Sequence, residues 1–198
     1  MTPEQHLEAL WSKVDAFFER VAERYPGALA CGPGCADCCH RDLTVTSIEA
    51  RRVFALVRAL PPEQRRALRD RADAPPCVAL DADGRCAIYE ARPLVCRSHG
   101  VPLRFVEPEA SGKRALPVLD VCPKNFTGAD LASIDAACVL DQRTLSVMLG
   151  AIDAAFVQAG GEALAGGSGA DGDRASFAPG GRLALRDVIR AAATPPSS

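Results

Sequence analysis

The stretch Cys31-Gly32-Pro33-Gly34-Cys35-Ala36-Asp37-Cys38-Cys39 places four thiols in nine residues and decides how the rest of the chain is read. Glycine at 32 and 34 and proline at 33 bend the backbone, and two residues between Cys35 and Cys38 match the knuckle spacing that presents thiolates to a metal. A tetrahedral ion needs four donors about 2.3 Å from one point, and short glycine turns supply that geometry. Cys38 and Cys39 are adjacent, so their side chains are expected to diverge and to serve different centres unless one of them is structural.

Five further cysteines follow at 77, 86, 96, 122 and 138. Asp81-Ala82-Asp83-Gly84 forms a turn that returns Cys86 towards Cys77. It lacks the third acidic position and the closing glutamate of a calcium loop. Cys138 stands beside Val139 and Leu140, away from any glycine turn, and reads as core. The candidate ligands are therefore Cys31, Cys35, Cys38, Cys39, Cys77, Cys86, Cys96 and Cys122. Eight thiols suffice for two zinc ions, or for one iron–sulfur cluster with several to spare. The candidate cofactor is thus zinc or iron, including a 4Fe-4S cluster. His40 and His99 each neighbour a cysteine motif and could complete a site. Arg92 and Arg97 flank Cys96 and could donate to its sulfur, while Asp81 and Glu90 either orient those arginines or cap turns.

Outward from the cysteines the chain reads as mainly α, a small helical domain with a loop-rich middle. Leu7, Leu10, Trp11, Val14, Phe17, Phe18 and Val21 draw one apolar stripe over residues 3–24, an amphipathic helix. Thr46 with Glu49 is a capping box opening a second helix, and Pro61-Pro62 opens a third that runs to about Asp73. Six prolines interrupt residues 74–122. Within that stretch 101–106 and 115–121 flank the turn signal at 109–113, a short β-hairpin. A long helix with a broad apolar face, largely buried, is expected from Ala136 to Ala159. Residues 160–182 hold eight of the 16 glycines and read as a linker. Leu185, Val188, Ile189 and Ala192 then mark a last helix that docks back on the domain. The expected organisation is a cysteine-cluster metal-binding domain over 1–159, a glycine-rich linker over 160–182, and a short helix and tail over 183–198.

The run from Cys31 to Cys39, then 45–52, then Cys77, then Asp83-Gly84-Arg85-Cys86-Ala87-Ile88-Tyr89-Glu90-Ala91-Arg92-Pro93-Leu94-Val95-Cys96-Arg97, resembles the CxxCxxCC family of cysteine-cluster domains, described as zinc- or iron-chelating. The resemblance covers roughly residues 31–122. Cys31 and Cys35 depart from its pattern, with three residues between them where the family name has two. It implies a metal ion as partner and the clustered thiols as ligands. A larger relative, the flagellin lysine methylase, shares such a cluster, so the alternative is an iron–sulfur or thiol-dependent enzyme of redox or group-transfer chemistry. The spacing of Cys31, Cys35 and Cys38 also matches the radical S-adenosylmethionine signature, but the repeated strand and helix units those enzymes need are missing from the pattern. No phosphate loop, dinucleotide fingerprint or Ser/His/Asp set is present.

The chain has 198 residues, 48% of them hydrophobic, enough apolar surface for a core. A net charge of −2 offers no electrostatic footprint for nucleic acid or an anionic membrane. The polar start of the chain is unlike a signal peptide, and the expected location is the cytoplasm, where thiols stay reduced and crowded cysteines point to metal rather than disulfides.

Overall fold

The computed structural model describes residues 1–32, 34–71, 77–106, 116–161 and 181–195. Helix α1 (Pro3–Arg24) starts at a capping box in which Gln5 Oε1 accepts from the Thr2 N–H at 2.8 Å. Its expected stripe, Leu7, Leu10, Trp11, Val14, Phe17 and Val21, is buried. Strand β1 (Thr44–Val45) leads into α2 (Ser47–Ala59), where the Glu49 carboxylate accepts from the Thr46 N–H at 3.1 Å and from its hydroxyl at 3.0 Å. Helix α3 (Pro62–Asp70) has proline in its first turn and ends three residues earlier than the sequence suggests.

The middle is as loop-rich as its prolines require. Helix α4 (Leu94–Arg97) is a single turn, held by the Leu94 N–H donating to the second oxygen of Glu49 at 2.7 Å. One buried carboxylate thus caps α2 and pins α4. Strands β2 (Leu103–Val106) and β3 (Pro117–Asp120) pair antiparallel from Leu103↔Asp120 to Val106↔Pro117, as the hairpin reading expects. The turn signal between them lies outside the described residues.

Strand β4 (Leu140–Asp141) runs parallel to β2, with Leu103 opposite Leu140. Here the structure corrects the sequence reading. Residues 136–138 form a 3₁₀ turn, Leu140 donates its N–H to the Pro102 carbonyl at 2.9 Å, and α5 (Gln142–Gln158) begins only after Asp141, whose side chain caps the Thr144 N–H at 2.8 Å. Nor is α5 largely buried. Leu149, Asp153 and Phe156 face inward, while Val147 is 65% exposed. A helix packed on one side needs one stripe only: Leu145, Ile152 and Val157 flank it half-buried, and Val147 and Met148 stay at the surface.

The glycine-rich stretch falls mostly on residues outside those described. Beyond it β5 (Leu183–Ala184) pairs antiparallel with β1, and α6 (Leu185–Ala193) packs on α2 and α3. Leu185, Val188 and Ile189 share a core with Val53, Val57 and Leu68. A second core joins α1 and α5 through Trp11, Phe17, Phe126 and Phe156, and Cys138 lies within it, 3% exposed, as expected. Among the described residues no helix is long and apolar enough to cross a membrane. Cys77 and Cys86 pack, partly buried, against the first of these cores.

Candidate metal centre

Four pieces of chain build the cysteine-rich end. The first turn closes where Cys35 donates its N–H to the Gly32 carbonyl at 3.0 Å, with Gly34 at φ +85, a conformation L side chains rarely adopt. A 3₁₀ turn, Asp37–His40, then carries the adjacent pair, whose sulfurs stand 4.0 Å apart. The Cys39 carbonyl accepts from the Cys77 N–H at 2.7 Å and so fastens the first turn to the second loop.

That loop is a tight reversal. Asp81 accepts from the Asp83 and Arg85 N–H groups at 3.0 and 2.7 Å, and Leu80 and Cys86 form a β-bridge, so Cys86 returns beside Cys77 as the turn residues imply. Asp81 is therefore a turn cap and not an orienter of arginine. Gly84, at φ +73, lies against the first turn: a Cβ there would meet the Gly34 carbonyl oxygen at 3.4 Å.

Cys96 sits on α4. Its neighbour Arg97 does not reach a sulfur, contrary to the sequence reading. The guanidinium pairs with Asp15, donates to the Glu90 and Arg92 carbonyls at 2.7 and 2.9 Å, and lies 4.4 Å from the Trp11 ring centroid. It ties the Cys96 turn to α1. Arg92 lies 4.0 Å over Tyr89 and within 3.7 Å of Asp15, and its charge reaches the Cys86 thiol.

The fourth piece, Cys122–Asn125, is latched to the first. Asn125 is 2% exposed; its Oδ1 accepts from the Ala30 N–H at 2.8 Å, and its Nδ2 donates to the Gly100 carbonyl at 2.6 Å and to Cys31 Sγ at 3.2 Å. Lys124 pairs with Asp37 at 2.7 Å. Gly100, at φ +101, leaves no room for a side chain, since a Cβ would stand 2.7 Å from Cys31 Sγ. Sequence reasoning missed Asn125, because a single asparagine carries no periodicity.

The thiols feel one another's charge. Burial pushes Cys31, Cys77 and Cys86 up, and takes Cys96 up to about 12. Between the adjacent pair the hydrogen bond dominates: it lowers Cys38 to about 6, with His99 assisting, and raises Cys39. His99 is half-buried beside Cys38, whereas His40 is exposed at the end of its turn. Thiols held up in this way carry protons at neutral pH, and a metal must displace them. Metal loading at pH 7 is expected to release about one proton for each such thiol that becomes a ligand, and affinity should fall as pH falls. Calorimetry in buffers of different ionisation enthalpy reads that number; release of none or one would refute it.

The donor set suits a borderline or soft metal: sulfur throughout, with one imidazole at the edge. Among the described residues no three donors already converge on one point at bonding distance. A cleft of about 830 Å³ is bordered by Cys38, His99, Phe105, Cys122, Gln142 and Ser146.

A family model, CxxCxxCC, described as "Putative zinc- or iron-chelating domain", matches residues 30–138. No curated protein and no solved structure matches the chain.

Proposed function

Since the chain belongs to the CxxCxxCC family, whose model spans residues 30–138, we propose that its clustered cysteines chelate zinc or iron and that the metal staples the loop-rich middle to the helices. One observation carries the reading. Cys31 to Cys39, Cys77 to Cys96 and Cys122, far apart in sequence, are linked by charge through Cys38 and Cys122, while Cys138 is the one cysteine fully buried in a core and Cys77 and Cys86 are only partly buried against the other. Packing alone does not account for thiols left half-buried on turns, since inert cysteines are among the most buried residues. Cys38, Cys39, Cys77, Cys86 and Cys96 would hold the metal from the knuckle and the second loop, with Cys31, Cys35 and Cys122 from the latched side. The bound ion would supply cross-links between turns that otherwise share few backbone hydrogen bonds.

X-ray absorption at the metal edge tests this reading. A sulfur shell at about 2.3 Å is expected. A shell of oxygen or nitrogen alone would refute it.

The cleft favours a second reading, an iron–sulfur or thiol-dependent enzyme, because it brings solvent and a small molecule to Cys38, Cys122 and His99. Acid-labile sulfide and visible absorption on protein purified without oxygen separate the two: iron with sulfide supports the enzyme, and zinc without colour supports the staple.

A further inference from the structure

We propose that Asn125 is a positioning residue for the metal: its buried amide fixes the Cys31 sulfur and stays hydrogen-bonded to it when an ion is bound. The proposal rests on the metal-binding reading above and adds to it the group that makes Cys31, the thiol with the irregular spacing, a ligand.

Cys31 is exposed and is followed by Gly32-Pro33-Gly34, so nothing in its own segment would hold its side chain in one rotamer. Asn125 supplies what the segment lacks. Every polar atom of its side chain is engaged: Oδ1 accepts from the Ala30 N–H at 2.8 Å, and Nδ2 donates to the Gly100 carbonyl at 2.6 Å and to Cys31 Sγ at 3.2 Å. The first of these bonds sets the backbone just before Cys31 and the last sets its sulfur, so one amide fixes the residue at both ends. Gly100 has to be glycine for the contact to form. Besides meeting Cys31 Sγ at 2.7 Å, a Cβ at that position would stand 3.1 Å from Asn125 Nδ2.

The chain bends unfavourably to place this amide. The Asn125 N–H donates to the Cys122 carbonyl at 2.8 Å, and Phe126, at φ +53, donates its N–H to the Ala28 carbonyl at 2.7 Å. A left-handed non-glycine residue costs about 1–2 kcal/mol. Tying residues 28–30 and Gly100 to the turn needs only the bonds to Ala28, Ala30 and the Gly100 carbonyl. The N–H on sulfur is additional, and it is the one that a metal-bound thiolate can use. A hydrogen bond to an ionised acceptor is stronger than one to its neutral form, so this contact strengthens as Cys31 gives up its proton to an ion. Partners that orient a metal ligand in this way typically account for about 10–100-fold in metal affinity.

The test is a double-mutant cycle on the full-length chain, reading zinc affinity by competition with a chromophoric chelator and sulfur-to-cobalt charge-transfer absorption after cobalt(II) replaces zinc. Cys31→Ser is expected to weaken binding about 10–100-fold and to reduce the absorption. Asn125→Asp keeps the side chain's size and the oxygen facing Ala30 but turns an acceptor towards the sulfur, and should weaken binding by a similar factor. In the Cys31→Ser background it should cost nothing further, because the amide acts through that sulfur. An equal loss in both backgrounds would show that Asn125 only holds the loops, and would overturn the proposal. Because Asn125→Asp could fail to fold, the parent chain supplies a readout that needs no variant: the Asn125 side-chain amide proton, followed by NMR, should move downfield on zinc loading. An unmoved amide proton, or parent affinity in Cys31→Ser, would overturn the proposal while leaving chelation by the other thiols standing. A parent chain that binds neither zinc nor cobalt would overturn both.

Discussion

Removal of the metal with a chelator is expected to unfold the stretch from Cys77 to Cys96 and to lower the thermal midpoint of the whole chain sharply. Structural zinc contributes an apparent 10–16 kcal/mol or so in small domains, as much as the roughly 5–15 kcal/mol net stability of an ordinary domain. Residues 77–97 have one isolated bridge, one 3₁₀ turn and the four-residue α4 as their regular structure. Val78, Ile88, Ala91 and Leu94 bury apolar surface there, but on turns that the thiols would otherwise anchor. By contrast α1, α2 and α6 carry complete buried stripes and should persist. Hydrogen exchange with and without chelator reads the difference: amides of 77–96 should lose protection first and most. Equal protection in both samples would contradict a stapling role.

Glu49→Ala should give the largest loss of any single substitution outside the cysteines. The carboxylate is 1% exposed and accepts from the Thr46 N–H, the Thr46 hydroxyl and the Leu94 N–H. Truncation leaves three buried donors without a partner, at about 1–3 kcal/mol each before relaxation, so about 3–5 kcal/mol is expected in denaturant unfolding. Glu49→Gln keeps the shape and part of the accepting capacity and should lose less. Because Leu94 opens α4, the Ala variant should also hold metal more weakly through Cys96. A loss below 1 kcal/mol would show that the pin is dispensable.

Much of this was legible in the chain. The helices over 3–24, 47–59 and 185–193 follow from stripes and caps that are local, and the Asp81 turn follows from residues whose side chains bond their own backbone. The gathering of Cys77 and Cys86 needed nothing more. The start of α5 was illegible because Val139 and Leu140 suit a strand as well as a helical stripe, and only pairing with β2 selects the strand. Arg97 was misread for a similar reason: its partners Asp15 and Trp11 lie more than eighty residues away. Asn125 was invisible altogether, since its three bonds reach Ala30, Cys31 and Gly100, none of them near in sequence. Local chemistry was readable; the latches that bring the loops together were tertiary.

The most direct measurement is elemental analysis of zinc and iron per chain on protein purified without oxygen, with the thiols of the native protein counted by alkylation in the same sample. Stoichiometric zinc or iron, with the clustered cysteines protected until a chelator is added, is the predicted result. A metal-free chain whose clustered cysteines alkylate freely would contradict it.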